Sequence, residues 1–246
     1  MPFDLTPLGA IWMAAAVLVA AFVRGYSGFG FSALVIAASS LVMNPLHFVF
    51  AVVLAEAVMT LQSWRGLGRE VDWRRVRWLM LGAAVGMPLG VAALTQMPED
   101  WARALVSGYV LVMCLVLLAG WRMRAEAGRA PTLGVGVVSG LANAPGMGGL
   151  PVAAFFAAQP MAAPVFRATL VAYFPLLDIY SIPLYWWGGM VTWDAFVAGV
   201  VILPMVFLGN WLGGRHFFAA DPQDFRRFAI LLLAGLATLG LGKAML

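Results

Sequence analysis

The stretch Arg24-Gly-Tyr-Ser-Gly-Phe-Gly-Phe31 cuts into sequence that is otherwise apolar from Leu8 to Met43, and Asn143-Ala-Pro-Gly-Met-Gly-Gly149 does the same between Leu133 and Ala158. Glycine at this density interrupts a helix, because it adopts left-handed backbone freely and is a poor helix former. An interrupted helix at membrane depth exposes backbone donors and acceptors, which is tolerated only where protein or a cavity encloses them. Interruptions at matching places in the two halves of a chain therefore point to the binding site of a secondary transporter.

The sequence around these breaks is that of a membrane protein. Of 246 residues, 63% are hydrophobic and 11% charged, and the mean hydropathy is +0.92; an ordinary soluble domain carries about 25% charged residues. So few charges cannot cover a water-facing surface, which excludes a soluble fold. The net charge of +4 and pI near 9.7 come from arginines beside apolar spans. They report membrane topology rather than nucleic-acid binding. Cys114 is the sole cysteine and His47 and His216 are the only histidines, so the sequence offers no disulfide, redox pair, metal site or cofactor motif. No Lys or Arg precedes Arg24, unlike the basic start of a signal peptide, and the first apolar stretch is expected to be retained.

A spanning helix needs about 20 mostly apolar residues. On that rule apolar segments run over 8–23, 28–43, 45–63, 79–97, 102–121, 132–158, 164–187, 193–213 and 227–245. The fold class is an all-α polytopic membrane protein with about 8–10 membrane segments. Residues 132–143 reach only about 18 Å against a hydrocarbon core about 30 Å thick, so they fit a half-helix or one arm of a re-entrant hairpin. The loop from Trp64 to Trp78 carries Arg65, Arg69, Arg74, Arg75 and Arg77, and the loop after Trp121 carries Arg122, Arg124 and Arg129. Both are assigned to the cytoplasm. Gln96 to Trp101 has Glu99 and Asp100 but no Lys or Arg, and lies outside. Trp64, Trp73, Trp78, Trp101, Trp121, Trp186, Trp187 and Trp193 stand at segment ends, as interfacial anchors do.

The chain reads as a duplication. Gly28-Phe-Gly30 matches Gly146-Met-Gly148 at an offset of 118, Pro45 matches Pro164 at 119, and Trp73 matches Trp193 at 120. Gly86-Met-Pro-Leu-Gly90 then matches Gly209-Asn-Trp-Leu-Gly213 at 123, and Asp100-Trp-Ala-Arg103 matches Asp224-Phe-Arg-Arg227 at 124. A slowly drifting offset is what loop insertions in a duplicated chain produce. The first repeat is taken as residues 1–121, a cytoplasmic linker as 122–131 and the second repeat as 132–246, all in one membrane domain. Each repeat has a glycine-broken helix or re-entrant hairpin followed by three transmembrane helices. If each break turns back rather than passes through, the second repeat is inverted and the arginines around Arg215, Arg226 and Arg227 fall on the cytoplasmic side, as they prefer. Inversion is therefore the favoured arrangement.

Glycines at a break let backbone approach a ligand, and the next half-helix presents unpaired N–H groups and about half a positive charge. That suits an anion. The candidate substrate-binding residues are Arg24, Tyr26, Ser27, Gly28 and Gly30 in the first break, with Asn143, Gly146, Gly148 and Gly149 in the second and Arg167 beyond it. The expectation is that the two breaks face each other across one anion-sized site. Tight helix packing through small residues is the competing use of such glycines, and it is the preferred reading for Gly86, Gly90, Gly209 and Gly213. Ionisable groups within spans are costly, which makes Glu56 and Asp178 candidates for proton or cation coupling, against the alternative of neutral acids hydrogen-bonded to a neighbouring helix. Arg167 and Asp178 share a helix face but stand about 16 Å apart along it, so they cannot pair directly.

Gly25-Tyr-Ser-Gly-Phe-Gly-Phe31 followed by Asn44-Pro45, and Val138-Ser-Gly-Leu-Ala-Asn-Ala-Pro-Gly-Met-Gly-Gly-Leu-Pro151, together with a basic loop after the third apolar segment, resemble the sulfite exporter TauE/SafE family, also called the four-toluene sulfonate uptake permease family. The resemblance covers nearly the whole chain. It implies a multi-pass protein of the bacterial inner membrane, without enzyme activity, that moves sulfite, sulfonates or sulfoacetate. The second motif departs from the family in placing Asn143-Ala-Pro145 where members show a denser glycine run. The expected partners are a small anionic solute and membrane lipid, with proton or ion coupling and a homodimer as further options and no nucleic acid. Two other functions fit the residues: a cation or proton-coupled carrier built on Glu56 and Asp178, and a non-transport membrane assembly factor.

Overall fold

A computed structural model describes residues 3, 5–27, 29–64 and 70–216 of the chain. The expected segment 227–245, the Arg226–Arg227 loop, and Arg65 and Arg69 lie outside the described residues. Those described are helical: α1 (Pro7–Ser27), α2 (Phe31–Ser39), α3 (Pro45–Trp64), α4 (Trp73–Thr95), α5 (Glu99–Ala119), α6 (Arg129–Asn143), α7 (Gly149–Ala157), α8 (Ala163–Trp187) and α9 (Trp193–His216). Five of them, α1, α4, α5, α8 and α9, are long and apolar enough to cross a membrane, and α3 adds the shorter apolar stretch Pro45–Thr60. Large apolar side chains such as Leu81, Val85, Leu89, Leu115, Ile179 and Phe207 point outward, and Trp101, Trp121, Trp186, Trp187 and Trp193 are exposed at helix ends. Lipid tails on the flanks and headgroups at the ends satisfy both.

The boundaries differ from the hydropathy pattern in two places, each with a physical cause. Helix α4 begins at Trp73, six residues before the expected apolar segment, because the Asp72 carboxylate caps it by accepting the Arg75 N–H at 3.0 Å. Its first turn is basic, and a hydropathy window reads such a turn as loop. Helix α1 continues through Arg24, Gly25 and Tyr26 instead of stopping at the first glycine. Gly25 is there for close packing: a Cβ on it would collide with the Asn210 carbonyl of α9. The actual turn rests on Gly30, whose φ of 95° is left-handed and favours glycine.

Each break joins a longer helix to a nine-residue one that doubles back. Beside α1, Trp12 Nε1 donates to the Ala38 carbonyl at 3.0 Å and Gly9 lies near Val42, so α2 runs antiparallel to α1. In the second half, Met123 N–H donates to the Ala158 carbonyl at 2.6 Å and Ala127 N–H to Gln159 Oε1 at 3.0 Å. The chain leaving α7 thus returns to the level at which α6 begins. Every residue of α2 is buried, as a short helix with open ends must be when no water reaches it. Its C-terminal carbonyls are taken up by side chains: Ser39 Oγ donates to Ile36, Ser40 Oγ to Ala37 and Trp12 to Ala38.

Glycine stripes set the remaining packing. Gly82, Gly86 and Gly90 of α4 lie in that order against Leu133, Val137 and Leu141 of α6, so these helices run parallel with backbones nearly touching. Gly209 and Gly213 of α9 lie in the same way against Leu18 and Phe22 of α1. A Cβ at Gly209 would come within 2.6 Å of the Leu18 carbonyl, and one at Gly90 within 2.7 Å of that of Leu141. Leu18 and Val137, and Phe22 and Leu141, are each separated by 119 residues. The contacts are therefore reciprocal: α1 packs on α9 as α6 packs on α4. Helices α4 and α8 also run parallel, through Asp72 with Thr169, Ala84 with Tyr180, and Val91 with Gly188.

Candidate functional site

Both breaks open onto one pocket. It is narrow and partly open, and is lined by Arg24 from α1, Gly30, Ser32 and Ala33 at the start of α2, and Glu56 from α3. From the second half come Asn143 at the end of α6, Gly149 and Leu150 at the start of α7, and Phe174, Leu177 and Asp178 from α8. The first turns of two helices thus border the same space, and the N–H groups there lack intrahelical partners by construction. Two helix N-termini bring about half a positive charge each.

Arg24 supplies a full charge. It is buried, donates through Nη1 to Glu56 Oε1 at 3.2 Å, and rests its guanidinium over the Phe174 ring at 5.2 Å from the centroid. The aromatic face stabilises a desolvated cation from below. A guanidinium has five N–H donors in a planar fork, so one carboxylate oxygen does not exhaust it. Ser32 faces Glu56 with its hydroxyl and its backbone N–H, which holds the carboxylate at the mouth of α2.

Asn143 closes the opposite side. Its Oδ1 accepts the Gly148 N–H at 3.3 Å, which fixes the amide orientation and leaves Nδ2 as the remaining donor. That Nδ2 is buried without a hydrogen-bond partner, and so is Oδ2 of Asp178. Buried orphan polar atoms are rare in native proteins, and here two of them border one cavity. Tyr185 OH donates to the Asn143 carbonyl, while Ser139 Oγ bonds both Gly148 O at 2.6 Å and Tyr173 OH at 2.8 Å. These bonds make the turn between α6 and α7 rigid.

The sequence candidates sort by position. The structure brings Arg24, Gly30, Asn143, Gly149, Glu56 and Asp178 to the pocket wall. Tyr26 is buried in α1 away from that wall. Gly146, at φ 78°, turns the chain, and Gly148 packs against Ser139 and Asn143 so closely that a Cβ would lie 2.7 Å from the Ser139 carbonyl. Arg167 sits half-buried in the second turn of α8, outside the pocket lining. Gly28 lies outside the described residues, as does the side chain of Ser27. Ser32, Ala33, Leu150, Phe174 and Leu177 join the wall without having been singled out by sequence. The first three follow the glycine runs closely; Phe174 lies one turn before Asp178 on its helix face, and Leu177 immediately precedes it.

Among the described residues no cluster of His, Cys, Asp and Glu could hold a metal ion. A second polar group lies where the arginine-rich loops meet: Arg75 bonds Glu126 at 2.8 Å and Asp72 at 3.3 Å, with its guanidinium 6.0 Å from the Phe156 ring centroid. It ties the start of α4 to the loop before α6 and to α7. The family model described as sulfite exporter TauE/SafE matches residues 13–239. No curated protein and no solved structure matches the chain.

Proposed function

Because the chain belongs to the sulfite exporter TauE/SafE family, a family of membrane transporters, we propose that it is a secondary carrier of small sulfur-containing anions, of the sulfite, sulfonate or sulfoacetate class, held between the two helix breaks. The observation that carries this reading is the convergence of the buried Arg24 guanidinium, the unpartnered Asn143 Nδ2 and two helix N-termini on one pocket. A sulfonate or sulfite head offers three oxygens in a pyramid. Donors arriving from several directions match that shape, and preorganised dipoles replace the water that the anion leaves behind.

The halves are read as inverted repeats over 1–121 and 132–246, joined by 122–131. Support comes from helix direction. Helix α6 runs parallel to α4, and α4 to α8; the five residues 188–192 join α8 to α9, so α9 runs back against them; and α1 runs parallel to α9. Helix α1 and its counterpart α6 then point in opposite directions, and the two hairpins enter from opposite faces. The face with Arg75, Arg122, Arg124 and Arg129 is the cytoplasmic one, in a bacterial inner membrane. Alternating access follows from movement of one half against the other about the central pocket.

A second reading is favoured by the two buried carboxyl groups in the wall, Glu56 and Asp178: the solute is a cation and they are its ligands. Thermal-shift titration of the purified protein with sulfite, sulfoacetate, taurine, chloride, sodium and potassium separates the two. Stabilisation by sulfur oxyanions at constant cation is the expected result. Stabilisation by a cation with no response to any anion supports the second reading and removes the first.

A further inference from the structure

Among the described residues the pocket is lined by one cation and two acids, and the two acids are not equivalent. Glu56 is engaged by Arg24 Nη1 and faces Ser32, whereas Asp178 is buried, keeps Oδ2 without a hydrogen-bond partner, and borders the same space. Among the described residues, the groups that act electrostatically with it are Arg24 from α1, Glu56 from α3 and the phenols of Tyr173 and Tyr185 on its own helix. Helices α2 and α7 carry no titratable side chain, and the charged residues of α4 all fall within its first five positions.

Charge counting then restricts what the pocket accepts. With both acids ionised, Arg24 is outnumbered and the side chains sum to one negative charge, which repels an anion. With Asp178 protonated they sum to zero. A bound monoanion then faces two helix N-termini worth together about one positive charge. Protonating Glu56 instead would leave an unpaired carboxylate on Asp178 and remove the partner that positions Arg24.

We propose that Asp178 is the proton site of this carrier, taking one proton on Oδ2 as the anion enters, so that proton and anion cross together. This rests on the anion-carrier reading above and adds its coupling. Binding of each favours binding of the other by the same factor, since linkage is reciprocal. One proton with one monoanion is an electroneutral cargo. The pair moves in whichever direction the combined gradients of anion and proton fall, and membrane potential has little effect on the rate.

The test uses the full chain in proteoliposomes with labelled methanesulfonate, a monoanion that stays fully ionised between pH 5 and 8 and carries no proton of its own. For the wild type, an inward proton gradient should drive uptake above the level reached without a gradient by about tenfold per pH unit, since one proton accompanies each anion, and imposing a membrane potential should leave it unchanged. Asp178→Asn should lose this gradient-driven accumulation, and its remaining exchange should no longer vary with pH. Because the variant can fail to fold, proton uptake is also measured on the detergent-solubilised wild type in weak buffer, where one proton should be bound per methanesulfonate. Wild-type uptake that ignores the proton gradient, absence of proton uptake on binding, or gradient-driven accumulation by Asp178→Asn each overturns the proposal while leaving the anion carrier standing. Failure of the wild type to bind or move methanesulfonate, sulfite and sulfoacetate removes the carrier reading itself.

Discussion

The Arg24 guanidinium reaches the Glu56 carboxylate across 3.2 Å, joining the last turn of α1 to the middle of α3 inside the apolar interior. Removing one partner of a buried ion pair strands the other and costs about 3–5 kcal/mol, whereas removing both is often nearly neutral. Arg24→Gln should therefore lower the thermal stability of the purified protein sharply, and Arg24→Gln with Glu56→Gln should restore most of it. Anion affinity should stay lost in both, because the positive charge is gone from both. Recovery of anion binding in the double variant would show that the charge acts on folding alone.

Phe174 supports this guanidinium, and its ring also lies next to Gly149. A Cβ on Gly149 would lie 3.0 Å from the ring, tighter than ordinary contact. Gly149→Ala should displace the ring from its place beside Arg24 and weaken anion binding by about tenfold, a loss in the range of one cation–π contact between desolvated groups. Phe174→Leu in that background should relieve the crowding and return binding to the level of Phe174→Leu alone, as read by titration of sulfite or sulfoacetate.

The glycine stripes between α4 and α6 and between α1 and α9 hold backbones in contact, so their substitution acts on assembly of the fold. Gly86→Leu and Gly209→Leu are each expected to abolish a monodisperse peak in size-exclusion chromatography. Gly108 and Gly134 have no atom near a prospective Cβ, and alanine at either should be silent. Equal tolerance at all four positions would contradict the close crossings.

The inverted-repeat reading makes a topological prediction. With Cys114 replaced by Ser, single cysteines at Ala125 and Ala162 should react with an impermeant thiol reagent only from the cytoplasmic side. Cysteines at Gln96 and Gly189 should react only from the outside. Labelling of Ala162→Cys from the side opposite Ala125→Cys would mean that α6 and α7 pass through the membrane instead of returning.

Much of the site was legible because it contrasts with its surroundings. Arg24, Glu56, Asp178 and Asn143 are polar residues in apolar runs, and two dense glycine runs stand out against helix-forming sequence. The dual use of glycine was not legible. Gly25 and Gly30 sit in one motif, yet the first lets α9 approach and the second turns the chain, and only the Asn210 backbone beside Gly25 separates these roles. Phe174 and Leu177 carry no signal, since an aromatic or leucine in an apolar helix looks the same facing lipid or facing a pocket. Arg167 stood out for the same reason as Arg24, but lies near the start of α8, outside the pocket lining.

The central claim is that Arg24 and the two helix breaks hold a sulfur-containing anion during transport. The most direct measurement is uptake of labelled sulfite and sulfoacetate by proteoliposomes containing wild-type, Arg24→Gln or Asn143→Ala protein, each normalised to folded protein. Wild-type vesicles should accumulate one or both anions, with Asn143→Ala reduced about tenfold, as expected when a charge-assisted donor is lost, and Arg24→Gln no different from empty vesicles. Transport by Arg24→Gln equal to wild type, or no transport of any sulfur anion by the wild type, would contradict it.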